Sequence, residues 1–254
     1  MNKVFILLLF LYSNVSFSKD LKKGTEIAQL VDKANHGFKS EVSEMKMVLL
    51  DSAGNSAERE LLGYVLDGNG DTDKTILEFM SPRDVKGTKL LTFSHRSKDD
   101  EQWLFLKSLR RTKRISSKSK QASFLNSDFS FEDLAGQTIE KYKHFWLKDS
   151  LVDNREVYII EQVPNSNTSA YSKQISYIDK VYKNPVQIEY YGKQNTLIKV
   201  ARFYDYKKIS GFYRASSVEM KNIRQNSTSK FIWKNRKLGA KMDIKMFRPR
   251  SLKE

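Results

Sequence analysis

Asp128, Glu132 and Asp133 form the closest acidic cluster in a distinctive central block of this chain. Closely spaced carboxylates are the raw material of general acid–base chemistry. The same residue types also cap and pin turns, and Ser130 with Asp133 has the spacing of a capping box, with Asp in place of Glu. The turn reading is the simpler one. A second candidate is Asp67-Gly-Asn69-Gly-Asp71-Thr-Asp73 with Glu78, which places oxygen donors at the spacing of a calcium loop. Thr72 stands where that loop needs Gly, and the flanks read as strands rather than helices. A hairpin turn explains the same residues without metal. His36, His95 and His144 show no ligand spacing. There is no G-x-S-x-G elbow, H-E-x-x-H pair, Walker loop or G-x-G-x-x-G turn. The chain has no Cys, which excludes disulfides, thiolate zinc sites and thiol nucleophiles. Neither an enzyme nor a cofactor or metal site is expected.

Charge is the next chemical signal. The formal net charge is +15, from 45 Lys+Arg against 30 Asp+Glu, a balance that favours anionic partners. Two tracts concentrate it. Residues 107–120 carry Arg110, Arg111, Lys113, Arg114 and Lys118 with no acid, and 230–250 have Asp243 as their one acid. Residues 1–18 read as a secretory signal: Lys3, an apolar run from Val4 to Leu11, and the small-x-small site Ser16-Phe17-Ser18. Cleavage after Ser18 is expected, with no Cys following to accept a lipid anchor. Export argues against nucleic acid as the partner. Anionic lipid head groups, or an acidic face of a membrane protein, fit the compartment better.

The elements that must position these groups are mostly strands. A short helix is expected near 25–34, with Thr25 as N-cap and Ile27, Leu30, Val31 and Ala34 on one face. A second, shorter helix is possible at 130–135. Met45, Met47 and Leu49 alternate on an early strand. Further strand-like stretches follow at regular spacing, separated by Gly, Asn, Asp and Ser-Pro turns. That rhythm suggests a single sandwich or barrel, with 19–254 as one domain.

One block is distinctive. It holds Phe79, Pro82, Asp84, Lys86-Gly87-Thr88 and Leu90-Leu91, then Trp103-Leu104-Phe105-Leu106, Leu109-Arg110-Arg111 and Lys113-Arg114-Ile115, then Phe124 and Ser127 to Leu134. These residues resemble the F-x-x-P-x-D-x-K-G-T-x-L-L, W-L-Y-L-P, L-K-R-x-K-R-I and F-x-G-S-D-F-S-Y-E-D-L segments of the exported LolA-like family of outer-membrane lipoprotein-sorting proteins. Lys107 and Asn126 depart from its usual Pro and Gly, both at expected turns. The resemblance implies a mainly β fold: a curved, incomplete antiparallel barrel with short helices plugging its concave side. It also implies a cavity for the acyl chains of a lipoprotein or another lipid, carried across the periplasm. Membrane partners would be an exporter of the resistance-nodulation-division type or an outer-membrane acceptor. A non-carrying adaptor that docks on such an exporter by its basic face is the alternative. Helical spacing selects Ile27, Leu30 and Val31, and strand alternation with apolarity selects Met45, Met47, Leu49, Phe79, Trp103 and Phe105, as cavity candidates. Arg110, Arg111, Lys113 and Arg114 are the candidates for docking on a partner or an anionic surface.

Overall fold

The computed structural model describes residues 19–68 and 71–253. The expected signal segment, 1–18, lies outside them. Helix α1 (Leu21–Asn35) is followed by β1 (Ser40–Leu50), β2 (Ser56–Leu66), β3 (Thr72–Ser81), β4 (Lys89–His95), β5 (Glu101–Leu106) and β6 (Arg111–Ile115). A long connection, 116–141, leads to β7 (Tyr142–Val152), β8 (Arg155–Pro164), β9 (Tyr171–Asp179), β10 (Asn184–Gly192) and β11 (Leu197–Tyr204). A small hairpin, β12 (Lys207–Ile209) and β13 (Phe212–Arg214), precedes β14 (Ser217–Asn222) and β15 (Ser227–Leu238).

Thirteen strands form one antiparallel sheet in the order β6-β5-β4-β3-β2-β1-β15-β14-β11-β10-β9-β8-β7. Two meanders are joined where β15 returns beside β1, with Met45 opposite Trp233 and Met47 opposite Phe231. The sheet is long and curved and does not close, as an incomplete barrel requires. One α-helix and the irregular 116–141 connection fill the inner face, and 130–135 is a turn rather than a helix. There Ser130 N donates to Asp133 Oδ2 (2.7 Å) and Asp133 N to Ser130 Oγ (3.2 Å), the reciprocal bonds of a capping box without its helix. Asn126 sits at φ 63 beside Leu125 at φ 47. That left-handed turn is one Asn tolerates and Gly favours.

Helix α1 begins earlier than its sequence signal. Asp20, not Thr25, is the N-cap, its carboxylate accepting from Lys23 N at 2.9 Å. Its buried stripe is Gly24, Ile27 and Ala28, with Val31 packed beside it, and Leu30 is 45% exposed. Gly24 supplies the reason. A Cβ there would lie 2.4 Å from His144 O on β7, so only Gly lets the helix approach this closely. That contact rolls the helix and leaves Leu30 on its flank.

Both sheet faces carry apolar clusters. Inside, Met47, Leu61, Phe79 and Leu104 pack with Phe124, Phe129 and Phe131 of the connection. Outside, Ile76, Leu91 and Phe105 are covered by Phe247 and Leu252 of the C-terminal segment, with Trp103 at the edge. Trp103 and Phe105 therefore face away from the concave side, and Leu104 with Leu106 takes their place on it. The sequence signal failed because β5 is apolar on both faces, so apolarity could not select the inner one.

Candidate functional site

Strand β1 lays a single line of buried side chains along the inner face: Glu41, Ser43, Met45 and Met47, at the two-residue period of a strand. The two methionines of this line have different surroundings. Around Met47 the space is full. Phe79 packs on Phe124 at 5.7 Å between ring centroids, and Phe124 on Phe131 at 5.6 Å. Around Met45 there is a cavity of about 310 Å³, walled by Leu77, Phe129, Val218, Met220 and Phe231. Gly63, opposite Ser43 on β2, helps keep it open. A Cβ there would come within 2.9 Å of both Met45 Sδ and Ser43 Oγ.

A second cavity of about 350 Å³ lies under α1, between Ala28 and Val31 above and Ile160, Ile178 and Ile188 below. Asp133, Tyr190 and Phe203 line both cavities, so the two adjoin. Each is at the lower end of the ~300–1,000 Å³ of small-molecule sites. The first is walled mainly by apolar side chains, whereas about half of the residues lining the second are polar, His36, Gln137, His144, Gln162 and Ser176 among them.

Asp133 is the partition. Its side chain is 2% exposed and 3.0 Å from Lys199 Nζ, and it accepts from Ser130 N and from the hydroxyl of Tyr171. Burial, then the nearby Asp133 charge, pushes the Tyr171 hydroxyl well above the usual tyrosine range, so Tyr171 stays a donor. The rest of the acidic cluster is equally committed. Asp128 accepts from Ser227 and Ser229, and Glu132 from Ser169 and Ala170 N. The three carboxylates staple the connection to strands β9, β11 and β15 and to the residues preceding β9.

At the start of β1, Glu41 faces two guanidinium groups. Arg236 Nε lies 2.9 Å and Arg214 Nε 3.6 Å from its carboxylate oxygens. Burial pulls both arginines below their usual range, and for Arg236 the charge of Arg214 adds to that. Nearby, His36 at the C-cap of α1 binds the β2–β3 turn. Its Nε2 is 3.3 Å from Asp73 Oδ2, and this hydrogen bond, against the opposing effect of burial, lifts its pKa to about 9. Asp67 Oδ2 accepts from Gly37 N at 2.6 Å, and Asp73 Oδ1 from Gly68 N at 2.7 Å. His36, Asp67 and Asp73 bring ligand-type atoms within 4.8 Å of one another. Two of the carboxylates of the calcium-like motif thus bind backbone N–H groups around a hairpin turn, between strands as its flanks suggest.

Of the nine cavity candidates, Met45 lines the first cavity and Val31 the second. Met47 and Phe79 belong to the filled core and Leu49 packs against it. Ile27 is buried between α1 and the sheet, with Ile160 and Ile178. Leu30, Trp103 and Phe105 are elsewhere, for the reasons given above. Arg110, Arg111, Lys113 and Arg114 are exposed on and beside the edge strand β6. Arg114 also binds Glu101 at 2.7 Å, so it belongs partly to the fold. The sequence reading missed Glu41, Arg214 and Arg236. Glu41 shares the parity of Met45 and Met47, which is a readable signal. Arg214 left none, and Arg236 was legible only as one of the cations of the basic tract 230–250.

The chain resembles several known proteins. A family model described only as "-like: Uncharacterized protein" matches residues 71–254. No curated protein matches. Among solved structures, a domain from Vibrio parahaemolyticus described as an outer membrane lipoprotein-sorting protein superposes with a TM-score of 0.90 at 33% identity, covering 92% of this chain and 100% of its own. A DUF1329 family protein from Desulfovibrio piger gives 0.88 at 26% identity, with coverage of 92% and 100%. A LolA superfamily protein from Nitrosomonas europaea gives 0.70 at 18% identity, with coverage of 89% and 97%, a likeness of fold alone.

Proposed function

The chain belongs to the LolA-like family of outer-membrane lipoprotein-sorting proteins, and from that premise we propose that it is a periplasmic carrier of acyl chains. The observation that carries this reading is the mainly apolar cavity at Met45, left open beside the filled Met47 end of the same sheet face. An acyl chain in water gains ~0.8 kcal/mol for each methylene it buries, and a curved sheet lined by apolar side chains offers that shelter without polar matching. The carboxylates of the central cluster are tied into structural hydrogen bonds, which supports a binding role rather than acid–base catalysis.

The exposed Arg110, Arg111 and Lys113 provide a basic edge that suits an anionic membrane surface or an acidic face of a membrane exporter or acceptor. In this reading they bring the carrier to the bilayer, where cargo is taken up or released. The test is direct. Protein purified from its own periplasm should bring extractable lipid with it, detected by native mass spectrometry, and Met45→Trp should reduce that load. An adaptor that only docks would carry none, and ligand-free protein that binds no lipid in vitro would end the carrier reading.

A further inference from the structure

Acyl-chain binding needs no charge, yet the nearly buried guanidinium group of Arg236 lines the first cavity, and a second one, Arg214, faces the same Glu41 carboxylate. The side chains of Arg236, Glu41 and Arg214 are 9%, 8% and 13% exposed. Arg214 is well engaged: it donates to Asn35 Oδ1 (3.0 Å) and Asn35 O (3.3 Å) and lies over the Phe38 ring at 4.8 Å. Asp67 adds a further attraction to it. Arg236 is not so well served. Its Nη1 donates to Ala215 O at 2.9 Å, but its Nε has no aligned acceptor, although Glu41 Oε1 lies 2.9 Å away. One carboxylate is thus shared by two cations, and Arg236, whose buried Nε is poorly aligned to that carboxylate, also lines the wall of the cavity. Such an arrangement is costly unless another anion completes it.

The backbone is built to put Arg236 there. Glu44 pairs with Lys234 and Val42 with Lys237, so two steps on β1 match three on β15. From Phe231 and Trp233, strict alternation would turn Asn235 inward. The extra residue turns Arg236 inward instead, a re-aiming typical of β-bulges, while Asn235 donates to the exposed Glu44. Next to Arg236 the cavity wall becomes apolar, through Trp233, Met45, Val218 and Phe231.

We propose that this cavity takes an amphiphile with an anionic head, carboxylate or phosphate, whose oxygens accept from Arg236 while its chain lies over Met45, Val218 and Phe231. The proposal rests on the carrier reading and narrows its cargo: an uncharged acyl group would leave Arg236 as it is.

Titration calorimetry of the delipidated protein with laurate, dodecyl phosphate and dodecanol, at equal chain length, tests it. Both anions should bind roughly tenfold or more tighter than the alcohol, since hydrogen bonds to charged groups are the strong ones. The stronger of the two identifies the head. The preference should shrink with added salt. Arg236→Met should bring the ratio close to one, and Arg236→Lys should retain part of it, with circular dichroism reporting the fold. If Arg236→Met does not fold, the anion-to-alcohol ratio and its salt dependence in the unaltered protein decide. Equal affinities for all three compounds overturn the head site and leave the carrier standing. No binding of any of them overturns the carrier reading itself. Inorganic phosphate binding as tightly as dodecyl phosphate would make this a free-anion site and overturn the amphiphile.

Discussion

The two methionines of the inner β1 line share one strand and one sheet face, yet they do different things. Met47 is fully buried under Phe79 and Phe124, and Met45, two residues away, borders a cavity. What differs is the cover. At the Met47 end Phe124 and Phe131 of the connection pack with Phe79, and hydrogen bonds of Asp128 hold the connection to β15. At Met45 the same connection contributes Phe129, Asp133 and Leu134 to a cavity wall without filling the space. A curved sheet thus becomes half core and half container according to where one connection lies on it.

The contrast can be broken from the filled end first. Phe124→Ala should cost about 3–5 kcal/mol, the range for removing a buried aromatic ring, read from denaturant unfolding. A cost below ~1 kcal/mol would mean that the filled end is not tightly packed. Paired methionine substitutions sharpen the comparison. Met47→Trp overpacks and should cost about 1–3 kcal/mol. Met45→Trp can extend into free volume, so it should cost less and instead block lipid uptake. If both are equally destabilising, the cavity at Met45 closes in solution.

A smaller effect concerns the end of α1 that roofs the second cavity. His36 has a folded pKa raised to about 9 from an unfolded value near 6.5, chiefly by its hydrogen bond with Asp73. A raised pKa adds stability that is fully present below pH 6.5 and lost as pH rises through 9. The difference in thermal midpoint between the unaltered protein and His36→Gln should therefore be largest at pH 6 and fade by pH 9.5. A difference that stays constant across this range would rule out the charged His36–Asp73 pair as its source. The smallest effect on the fold is expected at the basic edge. Glu at Arg110, Arg111 and Lys113 together should weaken binding to anionic vesicles severalfold per charge at low salt and leave the melting temperature unchanged. Unfolding of this variant would place the three residues in the fold instead.

Much of the architecture was legible in the chain. Alternating apolar positions marked β1, and Gly, Asn and Asp marked the β2–β3 turn. The central block from Phe79 to Leu134 carried the family resemblance and with it the open barrel. These are local signals, because strand period, turn chemistry and signature segments are each written within a few residues. The site was much less legible. Alternation divides a strand into two sets of side chains but does not say which set is inside. For β5 the outer set is buried too, by a C-terminal segment some 140 residues away in sequence. The tilt of α1 depends on the close approach of Gly24 to β7, and the emptiness beside Met45 on how the connection lies over the sheet. Arg236 points inward because the β1–β15 pairing has one extra residue on β15. By itself the sequence determined a β-rich chain with alternating faces, defined turns and an excess of basic charge. The tertiary structure alone decided which face is inner, which half is filled and which charges meet the cavity. All three depend on contacts between segments far apart in sequence, and a shift of one residue in register reverses every side chain beyond it.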